Sequence, residues 1–265
     1  MGKLKEQIFG VAGYSSDVKL AAYELEIFRE LISEHWLSSI KNSYPGLSEQ
    51  ANILGIENYH QIAELMDHQK LWSKTNRVLP QAAVDKIKKL PFLLFLKTEL
   101  GDFTISDIYD TEQHYGKEEI YWRLVRPNFK NDVGPLHKDK WFHNSFNMGY
   151  GMFPEGVVTV KVWIPIYNES TKSGLALLGG SHFREWKYHI ETTDGYPRPV
   201  LDEDLSDVGA RLIPTEPGNL IIFNENILHG GAINKGEKTR VSAEITLVFE
   251  KSPIARKPEM AASCC

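Results

Sequence analysis

From Ser16 to about Lys41 the chain reads SDVKLAAYELEIFRELISEHWLSSIK, and Val18, Ala21, Leu25, Phe28, Ile32 and Trp36 recur three or four residues apart. That spacing puts apolar groups on one face of an α-helix. Ser16 suits the N-cap, and the Pro-Gly of NSYPG stops the helix. The stretches NYHQIAELMDHQKLWSK and QAAVDKIKKLPFLLFL predict two further helices. From about residue 103 the period shortens. FTISDIYD, IYWRLVRP, VVTVKVWIPIYN, LALLGG, ARLIP, NLIIFN and TRVSAEITLVFE are β-branched and aromatic, with Gly, Pro, Asn or Asp between them. Many short strands separated by turns predict a sandwich, jelly roll or barrel rather than alternating β-α units. The expected fold is mainly β with a helical N-terminal region, in a single domain over 1–265. The helical part would occupy 1–102, the β core 103–250 and a tail 251–265. The polar stretch EWKYHIETTDGYPRPVLDEDLSD, about 185–207, reads as a long loop of the kind that carries function.

Composition narrows the class without naming the chemistry. Hydrophobic residues make up 42% and charged residues 25% of 265, as in ordinary soluble globular proteins. Thirty basic and 35 acidic residues give a formal charge of −5, which leaves no basic footprint for nucleic acid. The two cysteines stand together in the final AASCC, so no disulfide framework is expected and a reducing, cytoplasmic location is the default. LPFLLFL, the most apolar window, is far too short to span a bilayer, so no membrane partner is expected. Nothing bears on oligomeric state.

The candidate chemistry begins in GPLHKDKWFH, residues 134–143. In an extended segment His137 and Asp139 point to one face, either as a hydrogen-bonded pair or as two ligands of one metal. A metal needs a third donor. His143, His182 and His229 are available, and His229 stands out within EPGNLIIFNENILHGGAIN. A Pro-Gly turn and an apolar strand lead to an imidazole followed by two glycines, with little bulk beside it. The strand KTRVSAEITLVFE then carries Arg240, 11 residues after His229, and Ser242 on the same face. Two histidines and one carboxylate occupy one face of an octahedral ferrous ion and leave positions for a bidentate cosubstrate and O₂. A nearby guanidinium offers a fork to a distal carboxylate. His189 with Glu191 also forms an H-x-acid pair, but no fitting histidine and arginine follow it, and it reads as surface. His182 in Gly180-Ser181-His182 reads as structural.

Over about residues 119–250 the chain resembles the phytanoyl-CoA dioxygenase-like branch of the Fe(II)/2-oxoglutarate oxygenases. The resemblance rests on LHKD, on VKVWIPIYNESTKSGLALLGGSH and on EPGNLIIFNENILHGGAINKGEKTR. It implies a double-stranded β-helix, a cupin-like jelly roll, packed with α-helices. It also implies Fe(II) on His137, Asp139 and His229, with 2-oxoglutarate and O₂ as cosubstrates. Arg240 and Ser242 would hold the 2-oxoglutarate C5 carboxylate, and Trp163 would wall its pocket. The lysine that helps hold the cosubstrate in the family's namesake has no clear counterpart, Lys161 and Arg123 being the nearest candidates. Asp139 is present where related halogenases carry a small residue, which favours hydroxylation or desaturation.

The alternative is a cupin-like metal protein without redox chemistry, an isomerase or sugar-binding module, which has no need of Arg240. A small polar substrate, anionic or hydroxyl-rich, is expected. Trp141, Phe142 and Tyr150 mix with Lys140, His143, Asn144 and Asn147 after the ligand pair, and the facing loop adds Lys187, His189, Tyr196 and Arg198. Apolar walls with a few placed polar groups suit a compact ligand.

Overall fold

The computed structural model describes residues 2–106, 118–143, 156–193, 196–203 and 209–250, with the side chains of residues 143, 193, 196 and 197 left out. Asn144, Asn147, Tyr150 and the C-terminal cysteines lie outside the described residues. The N-terminal part contains α1 (Lys3–Phe9), β1 (Tyr14–Ser15), α2 (Ala22–Ser43), α3 (Ser48–Leu54), α4 (His68–Leu71), α5 (Gln81–Ile87) and α6 (Pro91–Leu100). Then come β2 (Thr104–Ile105), β3 (Ile120–Val125), α7 (Asp139–His143), β4 (Val158–Tyr167), β5 (Leu175–Leu178), β6 (Tyr188–Thr193) and β7 (Tyr196–Leu201). The chain continues through β8 (Arg211–Leu212), β9 (Ile221–Asn224), β10 (Leu228–Gly231) and β11 (Arg240–Phe249).

The first long helix buries the stripe its sequence announces, with Phe28 and Ile32 at 0% and Trp36 at 2% exposure. It begins six residues later than Ser16 because the chain before it is pulled into a sheet. Tyr14 and Ser15 pair with Phe223 and Ile222, and Lys19 bridges Asn219. Its first turn is closed by Glu24, whose carboxylate accepts the Ala21 N–H at 2.8 Å and the Phe92 N–H at 2.9 Å. The second expected helix is instead a series of 3₁₀ turns, Ile56–Gln61 and Ala63–Leu65, followed by the single turn of α4. Side chains compete here for backbone groups: Asn58 donates to the Leu54 carbonyl and Asp67 accepts from the Lys70 N–H. The third is two helices, because Pro91 has no N–H to continue a helix but suits the first position of a new one.

A six-stranded antiparallel sheet runs β1-β9-β4-β11-β2, with β3 also pairing β11. A three-stranded sheet runs β10-β5-β8, and β6 and β7 form a ribbon. That ribbon occupies the stretch read as a long loop. Among the described residues it pairs only with itself; Tyr188, Ile190 and Leu201 fall on one face and His189, Glu191 and Arg198 on the other, an alternation too short and too interrupted by proline to stand out in the sequence.

Alternation in the large sheet sorts the chemistry. Ile120, Trp122 and Leu124 of β3, Val160, Val162, Ile164 and Ile166 of β4, and Val241, Ala243, Ile245 and Leu247 of β11 join the helices in one core. The intervening residues face the other way. Trp163, Ile221 and Phe223 pack there against Leu175 and Leu177 of the small sheet. Tyr121, Arg123, Lys161, Glu244 and Thr246 line a cavity of about 590 Å³. No helix among the described residues is long and apolar enough to cross a membrane.

Candidate metal centre and cavity

His137 and His229 are joined as an antiparallel bridge, each N–H donating to the other's carbonyl at 2.9 Å. This lays the segment before α7 along the edge of β10. The two glycines after His229 make that approach possible. A Cβ on Gly230 would lie 3.2 Å from the Pro135 carbonyl oxygen, and one on Gly231 would lie 3.2 Å from Arg240 Nη2 and from a Val133 methyl. Side chains there would push the two ligand segments apart.

Asp139 does not extend the strand; it opens α7. The H-x-D spacing still converges, since Asp139 Oδ1 lies 3.7 Å from both His137 Nε2 and His229 Nε2. Donor atoms of the three residues all fall within 4.8 Å of one another, a group that could hold a metal ion. Both tautomers are set by the backbone. The Nδ1 atoms of His137 and His229 each lie 2.9 Å from a carbonyl two residues back, that of Pro135 and that of Ile227. A carbonyl only accepts, so Nδ1 carries the proton and the Nε2 lone pair is free to ligate. Burial and the neighbouring His229 push the His137 pKa down to about 4 against the pull of Asp139, keeping the imidazole in its ligating form.

The lysines of HKDK point away and anchor the turn. Lys138 Nζ donates to the Arg184 carbonyl at 2.9 Å. Lys140 lies 3.1 Å from Glu225, a buried carboxylate that also accepts the Thr159 N–H and hydroxyl. Beyond them, Trp141 stacks on Tyr188 of the ribbon at 4.3 Å, while Phe142 sets its edge on the His137 ring at 5.2 Å. Phe142 reaches the cavity wall and Trp141 is buried away from it.

Arg240 and Ser242 stand on the inward face of β11, 2% and 0% exposed. Arg240 Nη1 donates to the Gly174 and Ala232 carbonyls, the latter at 3.2 Å, and its guanidinium lies 6.0 Å from the Trp163 ring centre. Burial and the charge of Arg123 bring its pKa down to about 9. Among the described residues Arg240 Nε and Ser242 Oγ are buried with no hydrogen-bond partner. Two adjacent donors without an acceptor suit an anionic group such as the carboxylate of a 2-oxo acid. Neither residue is on the wall of the large cavity. Arg240 instead lines a small pocket of about 50 Å³ with Glu57, Tyr167 and Asn234.

His182 is structural: its Nε2 lies 3.0 Å from the Gly10 carbonyl, and Ser181 Oγ accepts the Leu228 N–H at 2.8 Å. Gly180 enters that turn at φ +77°, a left-handed conformation that favours glycine. His189 is exposed and bonded to Asp202 and Glu191, as its surface reading required. Of the residues expected on the facing segment, Arg198 lines the cavity, and the Tyr196 side chain lies outside the described residues. The N-terminal region closes one side of the cavity through His68, Trp72, Lys74 and Arg77, residues that sequence inspection did not single out. Tyr121 and Glu244 were legible as polar positions of alternating strands, but no local signal marks Arg77.

No protein-family model matches the chain, and no curated protein is similar to it in sequence. Solved structures are similar in fold. The apo form of ThoJ, a non-heme monooxygenase, aligns at TM-score 0.55 and 14% identity over 93% of this chain and 79% of that one. SnoK, a non-heme alpha ketoglutarate dependent carbocyclase from nogalamycin biosynthesis, aligns at TM-score 0.51 and 14% identity over 94% and 84%. At such identity the likeness is one of architecture: the chain shares its fold with non-heme oxygenases and brings a His-Asp-His group together within it.

Proposed function

We propose that the protein is an Fe(II)- and 2-oxoglutarate-dependent oxygenase of the phytanoyl-CoA dioxygenase-like kind, built on a double-stranded β-helix, that hydroxylates or desaturates a small polar metabolite. The observation that carries this reading is the convergence of His137 Nε2, His229 Nε2 and Asp139 Oδ1, both imidazoles having their proton held on the far nitrogen. In this role His137, Asp139 and His229 hold the metal. Arg240 Nε and Ser242 Oγ donate to the C5 carboxylate of the cosubstrate, beside Trp163. When bound, iron with 2-oxoglutarate and O₂ supplies oxidative C–H chemistry. The chain supplies ligand geometry, a wall that limits water, and placement of the target carbon.

A cupin-like isomerase or sugar-binding module would use the same three ligands. The two unpartnered donors on β11 favour the oxygenase, because such a module leaves them without a role. Anaerobic titration of the Fe(II)-loaded protein with 2-oxoglutarate decides between them. The oxygenase develops the weak visible band of the chelate and, in air, forms succinate. Absence of both in metal-loaded protein refutes the proposal.

A further inference from the structure

The large cavity is lined by five cationic residues although the chain as a whole carries a charge of −5. Most of the acidic wall is already engaged. Asp132 is bound by Arg126 through two contacts of 2.8 and 2.9 Å, and Glu119 accepts the Tyr121 hydroxyl at 2.6 Å. Asp139 belongs to the metal-ligand group, where Lys161 lies 3.8 Å from its Oδ2. Three guanidiniums, from Arg77, Arg123 and Arg198, share the wall with Glu119, whose bond from a neutral phenol leaves its charge in place, and with Glu244. Arg123 approaches Glu244 only to 3.9 Å. Arg77 and Arg198 have no carboxylate within ion-pairing distance among the described residues.

The three come from different parts of the fold. Arg77 ends the 3₁₀ turn Thr75–Arg77, where Nε donates to the Trp72 carbonyl at 2.8 Å and Nη1 to the Trp122 carbonyl at 3.2 Å. Arg123 stands on β3 directly opposite Ser242. Arg198 projects from the ribbon strand β7. They sense one another: burial first, then Arg123 and also Arg198, lower the Arg77 pKa to about 9. Glu244 offsets only part of that charge. Burial pushes its carboxyl up, but Arg123, Lys161 and Arg77 outweigh that and hold it below its usual value, so one carboxylate is shared among several cations. Like charges gathered in a shielded cavity are costly unless an anion joins them. A guanidinium presents the planar fork that carboxylates and phosphates accept.

We propose that Arg77, Arg123 and Arg198 form an oxyanion anchor, so that the substrate of the oxygenase bears a carboxylate or phosphoryl group seated on them with its target carbon toward the metal centre. This rests on the oxygenase reading for the word substrate, but the anchor itself is a property of the chain. The cosubstrate does not supply the anion, because that reading sends its two ends to the metal and to Arg240. The cavity volume of about 590 Å³ holds a compact ligand rather than a long chain.

The test uses Ni(II)-loaded protein with saturating 2-oxoglutarate, which cannot turn over, titrated with inorganic phosphate or with acetate at constant ionic strength. Tryptophan fluorescence reports binding, since Trp72 and Trp122 line the cavity. Saturable binding is expected, weakened at least tenfold in Arg77→Gln and in Arg198→Gln. Among the described residues the Arg198 side chain makes no hydrogen bond to the backbone, so its variant stands if Arg77→Gln misfolds. The tighter of the two anions identifies the phosphoryl or the carboxylate source. A response matching that of chloride, affinities unchanged in the folded variants, or an affinity that falls as 2-oxoglutarate is raised would each overturn the anchor. The same titration runs on metal-free protein. Failure of Ni(II) and 2-oxoglutarate to load there leaves the anchor measurable and counts against the oxygenase reading alone.

Discussion

Replacing Arg240 by glutamine separates cosubstrate binding from metal binding. In the structure the guanidinium is 2% exposed and held by the Gly174 and Ala232 carbonyls, with Nε aimed at no partner beside the equally unpartnered Ser242 hydroxyl. Truncating one partner of a buried, hydrogen-bonded charge pair costs about 2–5 kcal/mol, equivalent to about 30- to 4000-fold in dissociation constant. Arg240→Gln keeps an amide for one of the two carbonyls, so the lower half of that range is expected, about 30- to 300-fold. The assay is anaerobic titration of Fe(II)-loaded protein with 2-oxoglutarate, alongside a metal titration. The apparent affinity for 2-oxoglutarate falls by that factor while metal affinity changes less than threefold, since Arg240 is not among the three ligand residues. Ser242→Ala, which removes a neutral donor, costs about 1 kcal/mol, or about fivefold. A cosubstrate affinity within threefold of the parent in folded Arg240→Gln refutes the assignment.

Asp139→Ala and His229→Ala each remove one of three donors, with no fourth His, Cys, Asp or Glu in the group among the described residues, so both lose metal retention, measured by equilibrium dialysis, and succinate formation with it. His68, packed between Tyr59 at 3.0 Å and Asp132 at 3.5 Å, has its pKa lowered to about 4 by burial despite the opposing pull of Asp132. The unfolded chain therefore binds more protons between about pH 6.5 and 4, and stability falls as pH drops through that window. For this group the loss from pH 7 to 5 is about 2 kcal/mol, and His68→Asn flattens that part of the urea-unfolding profile. Glu24→Ala leaves the Ala21 and Phe92 N–H groups unpaired, one of them in the buried joint between α2 and α6, and lowers unfolding free energy by about 3 kcal/mol. A loss below 1 kcal/mol would mean that water or a neighbouring group replaces the carboxylate.

Local periodicity determined much of this protein. The stripe through Phe28, Ile32 and Trp36 predicted its buried helix face, and alternation in IYWRLV, VTVKVWIPIY and RVSAEITLVF predicted three strands of the large sheet. The candidate metal group was legible as well, because such a set is written in residue types: an H-x-D pair, a histidine before two glycines, and a strand bearing Arg-x-Ser. The tertiary structure decided what depends on partners distant in sequence. Residues 14–19 are extended because β9 offers them an edge, not because their own composition asks for it. Tyr188–Thr193 and Tyr196–Leu201 form a ribbon because the two strands satisfy each other's backbone. Arg77 joins Arg123 and Arg198 because a 3₁₀ turn hangs on the Trp122 carbonyl, 45 residues away in the chain. Side-chain period reports only which face a residue occupies; which face of which element closes over the cavity is set by pairing and packing across the whole fold.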